Sequence, residues 1–285
     1  MKAFFTDNAY DILDPMKGGL STGGFTIIET LIVLAVTGMI FISAALLING
    51  KEAKTEFTQS IQNIQAQIQQ TISEVQTGFY PSQENFSCNG NGNTVNFPSG
   101  APSALGSNKG CIFLGKVMQF AVHGTSPEQY NTYTIAGLQT DATGKEVTTL
   151  LAAKLKVVPN STATNTLRNG LTTQAMYYNG NPSNKIGAVG FISTLGAYSS
   201  GGDLISGSQQ VDLIPLNTSI LNDTPANTVT TIQNRLATSI ANPTGGVEIC
   251  FASGTTQESG LVAIGDSGRQ LSVTLKIFAS SRNCT

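Results

Sequence analysis

Hydrophobic and polar positions change their rhythm three times along the chain. Residues 31–48, Leu-Ile-Val-Leu-Ala-Val-Thr-Gly-Met-Ile-Phe-Ile-Ser-Ala-Ala-Leu-Leu-Ile, form a continuous run without a charge. With Phe25–Ile28 the run reaches about 24 residues, interrupted once by Glu29, and a helix needs roughly 20 to cross a bilayer. This is a membrane-spanning candidate behind a polar leader. Further on the pattern becomes periodic. Phe57, Ile61, Ile64, Ile68, Ile72, Val75 and Phe79 recur every three or four residues, and Gln59, Gln62, Gln65, Gln67, Gln69 and Gln70 fill the other faces. One apolar stripe on an amphipathic helix is the reading. Gly78 and Pro81 are stop signals. A helix from Phe25 to Gly78 would extend roughly 80 Å at 1.5 Å per residue. A coiled-coil dimer could use this stripe. We favour it as the seat of a globular domain, because a large one follows directly.

Beyond residue 81 the rhythm shortens again. Val247, Ile249 and Phe251 alternate, Leu261–Ile264 is a short apolar run, and Leu271, Val273, Leu275 and Ile277 alternate strictly. Gly-containing turns separate the three runs, which predicts an antiparallel meander. Strands are also expected in Cys111–Val122, Thr132–Leu138 and Ile186–Ser193. Asn85–Gly110, rich in Asn, Gly, Ser and Pro, reads as loop. Thr224-Pro225 followed by Val229, Ile232, Leu236 and Ile240 predicts a short capped helix. Residues 145–180 are ambiguous, and Glu146–Val158 fits helix or strand. The expected fold class is α+β. A long N-terminal helix packs on a mainly antiparallel β domain, with residues 1–24 as leader, 25–80 as helix and 81–285 as an extracytoplasmic globular part.

Composition narrows the function classes. Only 11% of the 285 residues are charged and the net charge is −2, which argues against general binding to nucleic acid or anionic membrane. Cys88, Cys111, Cys250 and Cys284 form no C-x-x-C pair, and His123 is the one histidine, so a zinc site is unsupported. An even cysteine count behind a membrane segment favours disulfides outside the cytoplasm. Three pairings are open. Cys88–Cys111 with Cys250–Cys284 closes short loops and is preferred, and four buried free thiols are the alternative.

The N-terminal run is unlike an ordinary secretory signal. Its small residues, Gly23 and Gly24, precede the apolar stretch, no A-x-A-like site follows Ile48, and Glu29 lies near its start. An uncompensated carboxylate at mid-membrane costs roughly 2.5–3.5 kcal/mol on translocon scales. The segment Gly23-Gly24-Phe25-Thr26-Ile27-Ile28-Glu29-Thr30-Leu31 resembles the processing site of type IV prepilins and type II secretion pseudopilins. The resemblance implies cleavage by a prepilin peptidase between Gly24 and Phe25 and N-methylation of Phe25. It also implies assembly through Phe25, Thr26 and Glu29. In that family the acid recruits the next subunit, so the implied partners are other pilin subunits, the peptidase and an inner-membrane assembly platform. No cofactor, metal or catalytic residue is implied. Gly38 matches a glycine common in the family. Two features depart from it. The leader carries Asp7, Asp11 and Asp14 beside Lys2 and Lys17, and Leu46 stands where many major pilins have proline. The stretch from Glu248-Ile249-Cys250-Phe251 through Ser272-Val273-Thr274-Leu275 resembles, more loosely, the C-terminal strands of H-type pseudopilins and FimT-like minor pilins.

Other motifs reduce to turns or scattered charge. Gly265-Asp266-Ser267-Gly268 matches a serine-protease nucleophile loop, but Arg269 replaces the next glycine and nothing like that family's histidine segment surrounds His123, the one residue that could act as base. Gly144-Lys145 fails the phosphate-loop pattern at Gln139 and Glu146. Asp203, Asp212 and Asp223 are dispersed. Some FimT-like pilins bind DNA through a basic C-terminal segment. Here Arg269, Lys276 and Arg282 are the only cations after Arg235, which leaves little counterion release. The expected function is a structural subunit of a pilus or pseudopilus, with a filament-displayed adhesive or DNA-binding role as the alternative.

Overall fold

A computed structural model describes residues 24–78, 89–90, 94–97, 111–120, 127–149, 152–159, 161–193, 211–217, 246–266 and 271–280. Among these residues there is one helix, α1, at Ile27–Thr77. It stops where expected. Gly78 takes φ +64° and its N–H bonds to Val75 O at 3.2 Å, a left-handed cap that a residue with a Cβ resists. The chain divides into two compact units between Asn49 and Gly50, so the distal half of α1 belongs to the β unit.

The N-terminal unit carries the apolar half of α1. It is long and apolar enough to cross a membrane. Its large apolar side chains, from Phe25 to Leu46, are 51–82% exposed.

In the second unit the strands are β1 (Asn89–Gly90), β2 (Val95–Asn96), β3 (Cys111–Phe120), β4 (Gln129–Leu138), β5 (Lys156–Val157), β6 (Ala163–Thr166), β7 (Leu171–Tyr178), β8 (Ile186–Ser193), β9 (Val211–Asn217), β10 (Val247–Ser253), β11 (Ser259–Asp266) and β12 (Leu271–Phe278). All pairings are antiparallel. One sheet has the order β5-β4-β3-β8-β9, with β6 also on β4; another has the order β12-β11-β10-β7; β1 and β2 pair separately. The expected C-terminal meander is therefore present, joined by β7.

Two cores flank the six-stranded sheet. In the first, Phe57, Ile61, Ile64, Ile68, Ile72 and Val75 of α1 are buried against Met118, Phe120, Val189, Phe191, Ile249, Phe251 and Val262. The apolar stripe is thus the seat of the β unit; its last expected member, Phe79, lies outside the described residues. In the second, Val117, Tyr133, Ile135, Ala188 and Ile192 meet Val147, Leu155 and Val157. Every residue of β8 is buried, because it shows a face to each core. Gly260 is the notch for the helix: a Cβ there would overlap Ile61 Cδ1.

Polar contacts fix the helix in its seat. Gln65 Nε2 donates to Val273 O at 3.0 Å, Lys116 pairs with Glu74, and Tyr130 Oη donates to Gln67 Oε1. Lys54 lies 3.4 Å from Glu258. Sequence periodicity is silent on such contacts.

Three elements differ from expectation. Among its described residues Glu146–Val158 is neither a helix nor a continuous strand: Glu146 makes an isolated bridge to Thr140 and Lys156–Val157 is the one strand, so an irregular segment covers the second core instead. Strand β7 falls in the ambiguous region, framed by left-handed Asn169-Gly170 and Asn179-Gly180 turns. Strand β9 contains Pro215, tolerated because β9 is an edge. The expected helix around Val229–Ile240 lies outside the described residues, as does most of the Asn85–Gly110 loop.

Candidate processing and assembly site

The residues singled out at the N-terminus meet at the start of α1. Gly24 and Phe25 are exposed and precede the first helical residue, Ile27. Thr26 caps the helix. Its carbonyl accepts from the amides of Glu29 (3.0 Å) and Thr30 (3.2 Å), and its hydroxyl accepts from Glu29 N at 3.3 Å. Thr26-x-x-Glu29 is thus a capping sequence, with an acid in the first turn where the helix dipole favours negative charge. The spacing is visible in the sequence, though the family resemblance draws attention to the same two residues for another reason.

Hydroxyls along the apolar half are satisfied within the helix. Thr30 donates to Ile27 O, Thr37 to Val33 O and Ser43 to Met39 O, each at 2.8 Å. Such back-bonding suits polar side chains in hydrocarbon, where no water can serve them. Glu29 is the exception. Among the described residues its carboxylate has no cation within ion-pair distance, and it is the sole charge between Gly24 and Ile48. Among the described residues, Gly24 and Gly38 also lack an internal cause. A Cβ at Gly24 or Gly38 would meet nothing within 4 Å, although a mid-helix glycine costs about 1 kcal/mol relative to alanine.

Cys111 and Cys250 are both disulfide-bonded. Cys88 and Cys284 lie outside the described residues, and so do Arg269, Arg282, His123 and Ser267. Lys276 is exposed on β12, and Asp266 ends β11. Among the described residues no group of His, Cys, Asp and Glu side chains is placed to hold a metal ion.

The Gly144-Lys145 segment is a turn organised by Asp141. Asp141 Oδ1 accepts from Thr143 N (2.8 Å), Thr143 Oγ1 (2.6 Å) and Lys145 N (3.0 Å). The Thr143 hydroxyl, then the Lys145 amide, hold its carboxyl below the ordinary aspartate range. A depressed carboxyl pKa gives stability that is present above the unfolded value and lost as pH falls through the folded one. Protection of the Thr143 and Lys145 amides is therefore expected to fall as the pH drops from about 5 to below about 3, past the ordinary aspartate value near 3.9. In Asp141→Asn the protection factors should not change over that range. Hydrogen exchange of both proteins tests this, and equal pH profiles would refute it.

Comparison with protein-family models, with curated proteins and with solved structures returns no match.

Proposed function

We propose that this chain is a precursor subunit of a type IV pilus or pseudopilus, cut between Gly24 and Phe25 and polymerised through α1. One observation carries the reading. A carboxylate with no cation in ion-pair reach among the described residues stands in the first turn of α1, whose apolar half is otherwise uncharged, just after an exposed Gly24-Phe25 step. Cleavage there creates an ammonium on Phe25. In hydrocarbon a carboxylate gains most from a nearby ammonium, so Glu29 of one subunit and Phe25 of the next set the axial register as the helices bundle. The bilayer stores the subunit before assembly. Gly24 and Gly38, where a Cβ would meet nothing among the described residues, fit close approach by a peptidase and a neighbouring helix. The large β unit fits a minor subunit.

N-terminal sequencing of the protein from cells that assemble such filaments tests the first step. The mature chain should begin at Phe25 and carry an N-methyl group. A start after Ile48, or an intact leader in the assembled material, would refute the proposal.

A further inference from the structure

Strand edges are open hydrogen-bonding templates, and folded proteins guard them. Most edges of the β unit are guarded. Strand β9 carries Asp212 and Pro215, and β5 is two residues long and β6 four. The outer side of β7 is engaged by main chain, since Thr173 N donates to Pro127 O (2.8 Å) and Tyr178 N to Asn184 O (3.2 Å).

Strand β12 is different. It is the terminal strand of its sheet and eight residues long, Leu-Ser-Val-Thr-Leu-Lys-Ile-Phe, with no proline, no glycine and one charge. Its Ile277, 39% exposed, is the one large apolar residue outside the N-terminal apolar half that is exposed among those described. Among the described contacts, Gln65 is the one helix side chain that reaches its main chain, at Val273 O.

We propose that β12 is a homotypic interface, pairing antiparallel with β12 of a second copy and centred on Thr274. The sequence is complementary to itself in that register. Leu271 faces Ile277 of the second copy and Val273 faces its Leu275; Leu271, Val273 and Leu275 pack against the core, and the exposed Ile277 shares their side of the strand by alternation. On the other side Ser272 faces Lys276 and Thr274 faces Thr274, so the two lysines are never opposed. Apolar and Thr–Thr cross-strand pairs stabilise antiparallel ladders, whereas like charges directly opposite destabilise them. Pairing exchanges the Gln65 amide at Val273 O for a backbone donor and joins two four-stranded sheets into one. This inference is independent of processing and of filament assembly.

The test uses the full chain in detergent micelles, without assembly machinery. Thr274 is exposed on β12, so Thr274→Lys leaves the fold intact, as near-ultraviolet circular dichroism would verify, and sets two cations face to face. Sedimentation should give a dimer for the unaltered chain, a monomer for Thr274→Lys and for Thr274→Asp alone, and a dimer again when these two variants are mixed. Thr274→Cys should oxidise to a covalent dimer, because directly opposed residues there stand about 4.5 Å apart between Cα atoms. A cysteine at exposed Thr164 on β6 should not. A monomeric unaltered chain, a dimer that survives Thr274→Lys, or equal cross-linking at Thr164 and Thr274 would each overturn the proposal.

Discussion

Glu29→Gln is expected to abolish incorporation into filaments while leaving membrane insertion and the cut before Phe25 intact. Two energies with opposite signs make this outcome specific. Removing the charge eases residence in the bilayer, by at most roughly 2.5–3.5 kcal/mol if the carboxylate sits deep. Removing one partner of a buried ion pair costs about 3–5 kcal/mol, and each 1.4 kcal/mol is a factor of ten in an equilibrium constant. Assembly would therefore fall by about two to three and a half orders of magnitude per subunit contact while the membrane pool grows. Helix formation changes little, because the Thr26 cap bonds to the Glu29 main chain, which glutamine retains. Quantifying the chain in sheared filaments and in membranes gives the answer. Normal filament content for Glu29→Gln would leave α1 as an anchor alone.

Gly115→Ala is expected to be the most damaging single methyl in the β unit. Gly115 pairs with Ile135 on one side and Ile192 on the other, beside a register shift after Phe113. A Cβ there would overlap Phe191 O and stand 2.9 Å from Ile192 Cα. Both obstacles are backbone of β8, which is buried on both faces and cannot retreat. Overpacking typically costs about 1–3 kcal/mol and sometimes more, against a total stability of roughly 5–15 kcal/mol for a domain. Gly144→Ala is the control. Its φ of +80° strains an alanine, by about 1–2 kcal/mol, but the space around it is open. Urea unfolding followed through the tyrosines should give a clearly lower midpoint for Gly115→Ala than for Gly144→Ala. Equal midpoints would mean that β3 and β8 are not packed this closely.

What the sequence made legible depended on how local the cause was. The seat of α1 could be read because Phe57 to Val75 obey one period and are all buried on one side. The C-terminal strands could be read because their alternation matches a sheet with one inward face. The second core was not legible, since Val147 and Leu155 lie in a stretch whose pattern fits helix or strand equally and marks no face until a sheet stands behind it. Strand β7 hid behind Thr172, Thr173 and Gln174, and β9 behind Pro215. At the helix start, Gly24, Phe25, Thr26 and Glu29 fall within six positions, so their arrangement could be anticipated. The Lys116–Glu74 pair spans 42 positions and could not.

The outward side of the distal helix has a consequence of its own. Gln59, Gln62, Ala66, Gln69, Ser73 and Thr77 are exposed there, and the one acid between Thr58 and Thr77, Glu74, is turned inward to Lys116 and Gln70. A surface without charged side chains of its own has little long-range field, so ionic strength, which screens charges over about 10 Å at 0.1 M, has little to act on. Anything that lies against this side must be recognised at contact distance, by amide hydrogen bonds and fit. Such contacts should hold equally well in fresh water and in brine.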